Sequence, residues 1–559
     1  MSRSRQTLAV EPVGGVGEMG HHHLLLDVGL DTFAIDCGMR MPGPDAAGID
    51  KITPPFEPAL ERAEDGSLRA LILTHGHLDH IGAVGDLLAR LPDLPVYGTP
   101  WTLALLRRRL GRDEAALSKA PDLRPVSRGE TARIGSADVT WLGVTHSLPD
   151  ACSVAVQGDA GCVVHSGDFR IQEDPLLGPP SQRAAFERVG AAGVDLALVD
   201  STSSAGTGAT ESERAIADRL ADAVSDVDGY AVVTLFSSHI ERLWACVLAA
   251  RAVGRRVCVM GRSLAETAAL AVERGVLPVE SGELIPVDSL SRHPRDRVLL
   301  VVTGTQGEWR TPLARMAREE DSRVRLGPGD AVFWSARVIP GEERSVGLVV
   351  NRLVDLGVRV VPPWSRAAPP LHTSGHARWD EVAQWLDWVR PRHVVPIHGE
   401  PWHLESHRES LIEHLGSERV LTLRSGDRLT RAAPGASWLR ESLAAHEPTL
   451  HGPGSVSFTR GDRALAARRR AGRSGVVAVF VRWTPAGLDH LEIATTGIVP
   501  DARSESFEAS IRQSLHEELV GRRPALNPAA RSEQVRLLVR GAIKKRTGTK
   551  PQCVVRLLS

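Results

Sequence analysis

The chain has 559 residues, which at about 150 residues per domain predicts three to four domain-sized units. Its 67 basic and 68 acidic side chains almost balance, so a uniformly basic nucleic-acid binder is excluded, although a local basic patch is not. Apolar residues make up 42% of the chain, which is enough for a large core and excludes wholesale disorder.

Cysteine usage and targeting signals point to one compartment. The six cysteines are scattered and form no CxxC pair, which argues against a disulfide framework and for a reduced protein. The sequence lacks an apolar run of about 18 residues, as a membrane span would need. Residues 1–20 lack the apolar stretch of a signal peptide. We therefore expect a cytoplasmic protein.

The first 170 residues alternate short apolar runs with turns rich in Gly, Asp and His. Such runs predict strands, with helices expected at about 81–92 and 101–110. The alternation is typical of an α/β sandwich with its chemistry at strand ends, and we assign residues 1–205 to the first part of that domain. The strand-like runs are TLAVEPV, HHLLLDV, DTFAIDCG, LRALILTHGH, LPVYGT, DVTWLGVTH, CSVAV and GCVVHSGD.

The pattern then changes and later returns. Residues 206–362 read as an inserted α/β domain with a parallel sheet, because helical periodicity alternates with apolar strands. Helices are expected over 211–226 and 239–254, and strands over 230–236, 255–260 and 297–304. Residues 363–431 resume the first style and complete the sandwich with the strands RHVVPIHGE and RVLTLRSGD.

The last part of the chain is predicted as a linker and a small domain. Residues 432–474 are rich in Ala, Gly, Pro, Ser and Arg and are typical of a linker with some helix. Residues 475–559 predict an α+β domain with helices at 506–520 and 531–546. Residues 461–559 carry 18 Lys and Arg against 9 Asp and Glu, which fits either an anionic partner or an ordinary solvated face.

Two features near the start suggest sites that the sequence context argues against. Gly15, Gly17 and Gly20 spell G-x-G-x-x-G, but strand-like runs follow instead of the helix that a dinucleotide site needs. The glycines are therefore expected to form a tight turn. Residues 21–23 are three consecutive histidines, which on a strand cannot converge on one ion, so structural or surface roles are expected.

Residues 74–80, THGHLDH, follow an apolar strand and predict a metal centre. A loop at a strand end lets His75 and His77 face one ion while Asp79 and His80 face a second. Imidazole suits Zn²⁺, and a carboxylate completes a site that keeps water. Two ions about 3.5–4 Å apart can generate hydroxide and stabilise displacement at phosphorus.

Further ligands are expected at other strand ends. His146, Asp168 and His398 each end an apolar run next to Gly or Ser. Three such positions, in a chain that already contains HGHLDH, favour metal ligation over structural roles. Asp36 ends another strand, and we expect it to orient the His-rich loop from behind the ligands.

HGHLDH followed by His146 and Asp168 resembles the metallo-β-lactamase superfamily. DSTSS (200–204), HTSGHA (372–377) and PIHGE (396–400) resemble the additional motifs of its β-CASP nucleic-acid-processing branch. The chain is most similar to the ribonuclease J family within that branch, over nearly its whole length except the linker. The segments that carry the likeness are GGVGEMG, HGHLDHIGA, THSLPD, HSGDFR, TGTQGE, IPGEERSV, HTSGHA, IHGE and AIKKRTGTKP.

The resemblance implies an αββα sandwich interrupted by a β-CASP domain and followed by an α+β domain. It also implies how the ligands divide. One ion would take His75, His77 and His146, and the other Asp79, His80 and His398, with Asp168 bridging. Asp200 and His376 would flank the scissile phosphate, with His376 as general acid, and His372 and Ser374 would contact substrate phosphate.

The activity implied by the resemblance is metal-dependent hydrolysis of RNA phosphodiester bonds. It would combine 5′→3′ exonuclease action on 5′-monophosphorylated RNA with endonuclease action, in RNA processing and decay. The cofactors would be two Zn²⁺ ions, with Mn²⁺ as the alternative, and Asp79 and Asp168 would count among the catalytic residues. Single-stranded RNA is the expected partner, and the C-terminal domain is expected to form a homodimer or homotetramer.

The chain departs from the family pattern at three places. TLFSSHIERL (234–243) has His239 where Asn is usual and Glu241 where His is usual. A carboxylate there would repel phosphate if the segment touches RNA, or would face solvent at a helix start. Leu78 replaces the usual Glu, and GHHHLLLD replaces a Gly-Lys-Asn start. These departures suggest a divergent paralogue, and on the first interpretation Glu241→His should improve turnover.

Three other functions compete with the main hypothesis. The first is a β-CASP nuclease that acts on DNA or structured RNA, because sequence does not reveal recognition of the 2′-hydroxyl. The second is an RNA-binding or assembly subunit without turnover, which the intact ligand set argues against. The third is a small-molecule hydrolase, against which the inserted domain, HTSGHA and the basic tail all weigh.

Overall fold

The computed structural model describes residues 4–558 except 44, 45, 47, 112–118, 340, 366–369, 445, 453–455, 460, 486 and 521–526. The chain divides into two compact units, residues 1–40 with 53–446, and residues 41–52 with 447–559. The sequence placed segment 41–52 in the first domain, but it belongs to the second unit. The other predicted domain bounds stay predictions.

All eight apolar runs of the first 170 residues form strands, and the first 205 residues contain four further strands that were not predicted. The strands are β1 (Leu8–Gly14), β2 (His23–Val28), β3 (Asp31–Ile35), β4 (Lys51–Thr53), β5 (Leu68–Ile72), β6 (Val96–Gly98), β7 (Leu123–Pro125), β8 (Thr131–Ile134), β9 (Ala137–Gly143), β10 (Cys152–Gly158), β11 (Gly161–His165) and β12 (Leu196–Asp200). Those that were not predicted are β4, β7, β8 and β12. The helices are α1 (Glu57–Glu64), α2 (Leu78–Ile81), α3 (Val84–Arg90), α4 (Pro100–Leu110) and α5 (Arg183–Ala192). The helix expected at 81–92 is α3, and it is separated from the preceding α2 at Ala83, whose amide donates to the carbonyl of Cys37 instead of within a helix.

The rest of the first unit contains the inserted domain and the end of the sandwich. The insertion comprises α6 (Glu213–Ser225), β13 (Ala231–Thr234), α7 (Ile240–Ala252), β14 (Arg256–Met260), α8 (Arg262–Glu273), β15 (Val298–Val302), α9 (Pro312–Ala317), β16 (Ala331–Trp334), α10 (Glu343–Asp355) and β17 (Arg359–Val361). The sandwich resumes with α11 (Trp379–Val389), β18 (His393–Ile397), α12 (Pro401–Leu415), β19 (Asp427–Arg431) and β20 (Leu439–Ser442).

Two facing sheets form the sandwich. One has the order β20-β19-β1-β2-β3-β5-β6-β7 and the other β18-β12-β11-β10-β9-β8. Alternate side chains of each strand enter different cores, as in Leu26 between the sheets and Leu25 on the outer face of β2. Trp141 lies between the sheets, and Trp385 of α11 packs on the outer face of the second sheet. The αββα sandwich is therefore confirmed.

The inserted domain has a parallel sheet of order β14-β15-β13-β16-β17. Val233 of β13 faces the core shared with α6 and α7, and Val232 faces the core on the opposite side. A parallel sheet covered on both faces reads as continuous apolar runs, which is why the sequence predicted it.

The second unit contains β21 (Thr449–His451), β22 (Ser457–Phe458), α13 (Arg463–Ser474), β23 (Val476–Thr484), β24 (Gly487–Thr496), α14 (Ser504–Val520), α15 (Pro528–Thr547) and β25 (Gln552–Leu557). Its sheets have the orders β22-β21-β4 and β24-β23-β25. Leu515 and Val539 pack α14 and α15 onto the second sheet, so the predicted α+β domain is confirmed. The segment 432–474 contains α13 and three short strands, β20 to β22. Among the described residues, no helix is long and apolar enough to cross a membrane.

Candidate metal centre

The predicted ligands lie at one edge of the sandwich. β9, β11 and β18 run parallel to one another, because β10 is antiparallel to β9 and β11, and β12 is parallel to β11 and β18. Their carboxyl ends therefore meet at one edge, where His146, Asp168 and His398 follow them. The loop after β5, in the facing sheet, brings residues 75–80 to the same edge.

The end of β3 fixes the shape of the His-rich loop through backbone hydrogen bonds. The amide of Cys37 donates to the carbonyl of His80 at 2.8 Å, and that of Met39 donates to Leu78 at 3.0 Å. Gly38 lies between them, where any Cβ would overlap the carbonyl of Asp79. This contact requires a glycine at position 38.

The first group comprises donor atoms of His75, His77, His146 and Asp168, all within 4.8 Å of one another. His77 Nδ1 lies 3.1 Å from His75 Nε2 and 3.2 Å from His146 Nε2. Tetrahedral donors at about 2.0–2.1 Å from Zn²⁺ would be about 3.3–3.4 Å apart. The three nitrogens are therefore spaced as ligands of one ion.

The second group comprises donor atoms of His22, Asp79, His80 and His398. Asp168 Oδ1 lies 3.3 Å from His80 Nε2 and 3.2 Å from His398 Nε2, while Asp168 Oδ2 lies 3.5 Å from His75 Nε2 in the first group. Asp168 thus reaches both groups with different oxygens, as a bridging ligand would.

The second nitrogen of each predicted histidine ligand is held by a hydrogen bond. These partners orient the rings and fix which nitrogen faces the centre. The pairs are His75 Nδ1 with Thr74 Oγ1 at 3.0 Å, His77 Nε2 with Ser147 Oγ at 3.1 Å, His80 Nδ1 with Asp36 Oδ2 at 2.7 Å, His146 Nδ1 with the Gly375 carbonyl at 2.7 Å and His398 Nδ1 with Thr202 Oγ1 at 2.7 Å.

Asp36 occupies the position behind the ligands that was expected for it. It is buried, and one oxygen also accepts from the amide of Thr74 at 2.8 Å. The other oxygen accepts from the Thr74 hydroxyl as well as meeting His80. Its function in orienting the loop stays a prediction.

The unsatisfied atoms of the site fit a cation. His80 Nε2, His398 Nε2 and Asp168 Oδ1 are buried and lack a hydrogen-bond partner among the described residues. Buried polar atoms are nearly always paired in proteins, so such a cluster fits a bound cation. Burial acts to raise the pKa of Asp168, but His398 and His80 outweigh it and hold that pKa well below its usual range. The carboxylate is therefore ionised, as metal ligation requires.

Asp200 and His376 lie beside the metal centre. His376 Nδ1 is 2.8 Å from Asp200 Oδ2, and Asp200 Oδ1 accepts from the amide and hydroxyl of Thr202. Burial acts to lower the pKa of His376, but Asp200 and Asp168 outweigh it and raise that pKa. Asp200 thus holds the ring of His376 next to the predicted ligands.

The predicted phosphate residues are supported from the inserted domain. Arg242 Nη1 lies 3.3 Å from His372 Nδ1. Burial and, second to it, the positive charge of Arg242 lower the pKa of His372 to about 3. His372 is therefore neutral, with Nε2 left as a donor. The hydroxyl of Ser374 lies 3.0 Å from Ser203 Oγ and accepts from the amide of His376.

Glu241 contradicts both sequence interpretations. It is 3% exposed, so it does not face solvent, and it pairs with Arg170 at 2.6 Å, so its charge is compensated. Arg170 also pairs with Glu213 at 3.1 Å, and Glu213 pairs with Arg242 at 2.7 Å. We call Arg170, Glu213, Glu241 and Arg242 the buried ion-pair network. This geometry argues against the expected gain from Glu241→His, because the change would remove a buried countercharge.

The buried ion-pair network touches the phosphate residues. Arg170 Nη1 donates to the carbonyl of Ser374, and Arg242 Nη1 donates to that of Leu371, next to His372. His239 begins α7 and its Nδ1 accepts from the amide of Arg242. The altered segment 234–243 therefore contributes residues that support the positions of His372 and Ser374.

The early glycine motif does not form a nucleotide site. Gly15, Gly17 and Gly20 all have positive φ, and strands β2 and β3 follow them, so the predicted turn is confirmed. All three histidines at 21–23 are buried, so a surface position was wrong for them. His22 joins the second metal group, which the sequence reasoning missed.

Comparisons with known proteins agree with this architecture. Residues 21–239 match the metallo-beta-lactamase superfamily, residues 228–353 the ribonuclease J beta-CASP domain, and residues 370–423 a Zn-dependent metallo-hydrolase RNA specificity domain. A crystal structure of a protein of unknown function from Enterococcus faecalis aligns with a TM-score of 0.54 at 17% identity. That alignment covers 76% of this chain and 100% of the other, and it supports the fold alone.

The fold and the site define a metallo-β-lactamase hydrolase with an inserted β-CASP domain. The chain is 35% identical to a ribonuclease J of Mycobacterium tuberculosis over 476 residues, which covers 85% of this chain and 83% of that protein. It is 32% identical to a ribonuclease J of Sinorhizobium meliloti over 483 residues, with coverages of 85% and 83%. The chain belongs to the ribonuclease J family and is a metal-dependent, RNA-binding ribonuclease.

Proposed function

We propose that the chain holds two Zn²⁺ ions, one at His75, His77 and His146 and one at Asp79, His80 and His398, bridged by Asp168. The unpaired, buried donor atoms of the second group and the nitrogen spacing of the first support this assignment. Bound ions would supply Lewis acidity, which activates water and neutralises charge on phosphoryl oxygens. Imidazole-rich donors favour Zn²⁺, although the carboxylates also suit Mn²⁺.

The residues of the chain supply the proton and the orientation. His376 would give a proton to the leaving 3′-oxygen, and Asp200 would hold its ring through Nδ1 and stabilise the charged form. The 2.8 Å contact between these two residues supports the assignment. His372 and Ser374 would donate hydrogen bonds to a neighbouring phosphate, since both are held by partners on their other sides.

The substrate proposed is single-stranded RNA with a 5′-monophosphate, degraded 5′→3′, with internal cleavage as a second activity. The single observation that carries this is the pair His372 and Ser374, which the buried ion-pair network holds and which is followed by Gly375, whose carbonyl meets His146 Nδ1. We place the protein in the cytoplasm, which the six unpaired cysteines support. The C-terminal domain would form a homodimer or homotetramer.

The test is a time course on 5′-monophosphorylated single-stranded RNA, with a 5′-hydroxyl copy and a DNA copy in parallel. Early mononucleotide release from the monophosphate RNA alone is the expected result. Internal fragments from both RNAs would reject the phosphate pocket and leave an endonuclease. Equal cleavage of the DNA copy would reject the RNA preference.

A further inference from the structure

His22 is a histidine of the metal centre that no sequence motif assigned. Its residue is 8% exposed, and its Nε2 is buried without a hydrogen-bond partner among the described residues. That nitrogen lies 3.9 Å from Asp79 Oδ2. One of its ring nitrogens lies within 4.8 Å of donor atoms of His80 and His398.

The backbone around His22 holds its ring in this position. The amide of His22 donates to the carbonyl of Asp79 at 2.9 Å, and the amide of Gly38 donates to the carbonyl of His22 at 2.9 Å. Gly15 has a φ of +84°, and a Cβ on it would overlap the Nδ1 edge of the imidazole. The turn therefore leaves room for a ring whose Nε2 edge faces the metal group.

The ring contacts alone do not account for this placement. His22 stacks on His398 with a centroid distance of 3.8 Å and on His80 with a centroid distance of 4.6 Å. An apolar ring at this position could make the same stacking contacts. Stacking leaves a buried polar nitrogen unsatisfied, which proteins avoid. A cation at the second group would satisfy His22 Nε2 together with the unpaired nitrogens of both neighbours.

We propose that His22 is a further ligand of the ion held by Asp79, His80 and His398, an inference that rests on the two-ion assignment above. The second ion then has three imidazole nitrogens as well as carboxylate oxygens. Two consequences follow from this donor set. The second ion is held more tightly than the first, and it favours Zn²⁺ over Mn²⁺, because imidazole suits Zn²⁺ better than it suits Mn²⁺.

The experiment measures metal content instead of cleavage. Purified full-length protein is equilibrated with zinc buffers of decreasing free Zn²⁺, and bound zinc per chain is counted by mass spectrometry. His22→Asn is the test variant, because the shorter amide removes the imidazole nitrogen while keeping a polar side chain. His21→Asn is the matched control: its ring meets Glu18 at 3.1 Å, and asparagine tolerates its φ of 42°.

The expected result is that wild type and His21→Asn hold two ions, whereas His22→Asn loses one of them at a free Zn²⁺ at least about tenfold higher. Competition with Mn²⁺ should shift in the same variant only. Two ions held with unchanged affinities in His22→Asn would overturn the inference, and His22→Gln repeats the measurement if the first variant misfolds. Fewer than two ions in the wild type would overturn the two-ion assignment itself, so the two failures are distinguishable.

Discussion

The metal centre and the buried ion-pair network are both clusters of buried charged groups, yet they differ in one respect. In the network, Arg170 and Arg242 each have a carboxylate partner within 3.1 Å. In the metal centre, His80 Nε2 and His398 Nε2 converge on Asp168 Oδ1 at 3.3 and 3.2 Å without forming a hydrogen bond. Burial with all charges paired indicates a structural support, whereas burial with donors left over indicates a ligand. Within one compact unit, this difference distinguishes the candidate metal centre from the ion pairs that support the fold.

The largest effect is expected for a change at the metal centre. Asp168→Ala removes the oxygens that reach both metal groups, so cleavage of RNA should fall below detection and bound metal should fall below two ions per chain. Folding should persist, because the backbone contacts of the His-rich loop do not involve this side chain. Residual cleavage with two bound ions would reject the bridging role.

A smaller loss is expected for the proton donor. His376→Gln keeps a hydrogen-bonding side chain near Asp200 but removes the titratable proton, and cleavage of RNA should fall by about 10²–10⁴-fold. Metal content should stay at two ions. A nitrophenyl phosphodiester, whose leaving group needs no proton, should be cleaved nearly as fast as by the wild type. An equal loss on both substrates would assign His376 to positioning instead.

Glu241→Ala tests the buried ion-pair network. Its effect on the free energy of unfolding is measured by denaturant unfolding. Removing this carboxylate leaves Arg170 with one partner in a buried site, so the free energy of unfolding should fall by about 3–5 kcal/mol. Metal content of the folded protein should not change. Glu187→Ala is the control, because its partner Arg183 is on the surface and the pair should contribute little. A small, equal effect of both changes would contradict the structural role of the network.

The smallest effect concerns a histidine outside both clusters. His407 is buried against Ser201 Oγ at 2.9 Å, and burial lowers its pKa from 6.5 to about 4. Between these values the unfolded chain binds a proton that the folded chain does not, so stability falls as pH falls. From pH 7 to pH 5 the loss should be about 2 kcal/mol, and His407→Gln should remove that part of the pH dependence. An unchanged pH profile would contradict the assignment.

Local patterns predicted most of the site, and tertiary contacts decided the rest. The candidate ligands at 75–80 could be found because strands read as apolar runs and ligands tend to follow strand ends. Alternation along a strand correctly showed that three consecutive histidines cannot share an ion, but it does not show which one of them, His22, faces the centre. The partner of Glu241 is Arg170, 71 positions away, and such pairing leaves no local signal.

The fold shows the same division between local and distant causes. The parallel sheet of the insertion was predicted because both faces are buried. β24 was missed, because its sequence GLDHLEIATT is mostly polar and its side chains are partly exposed. The break between α2 and α3 depends on the carbonyl of Cys37, which lies 46 positions before Ala83.

The backbone hydrogen bonds between the end of β3 and the His-rich loop bear on whether the protein folds before it binds metal. Because Cys37, Gly38 and Met39 shape the loop through amides and a glycine contact, we expect the loop to form before metal binds. We expect the chain to fold first and to bind metal afterwards. Metal should therefore be withdrawn by chelation and returned to the same molecules without a refolding step.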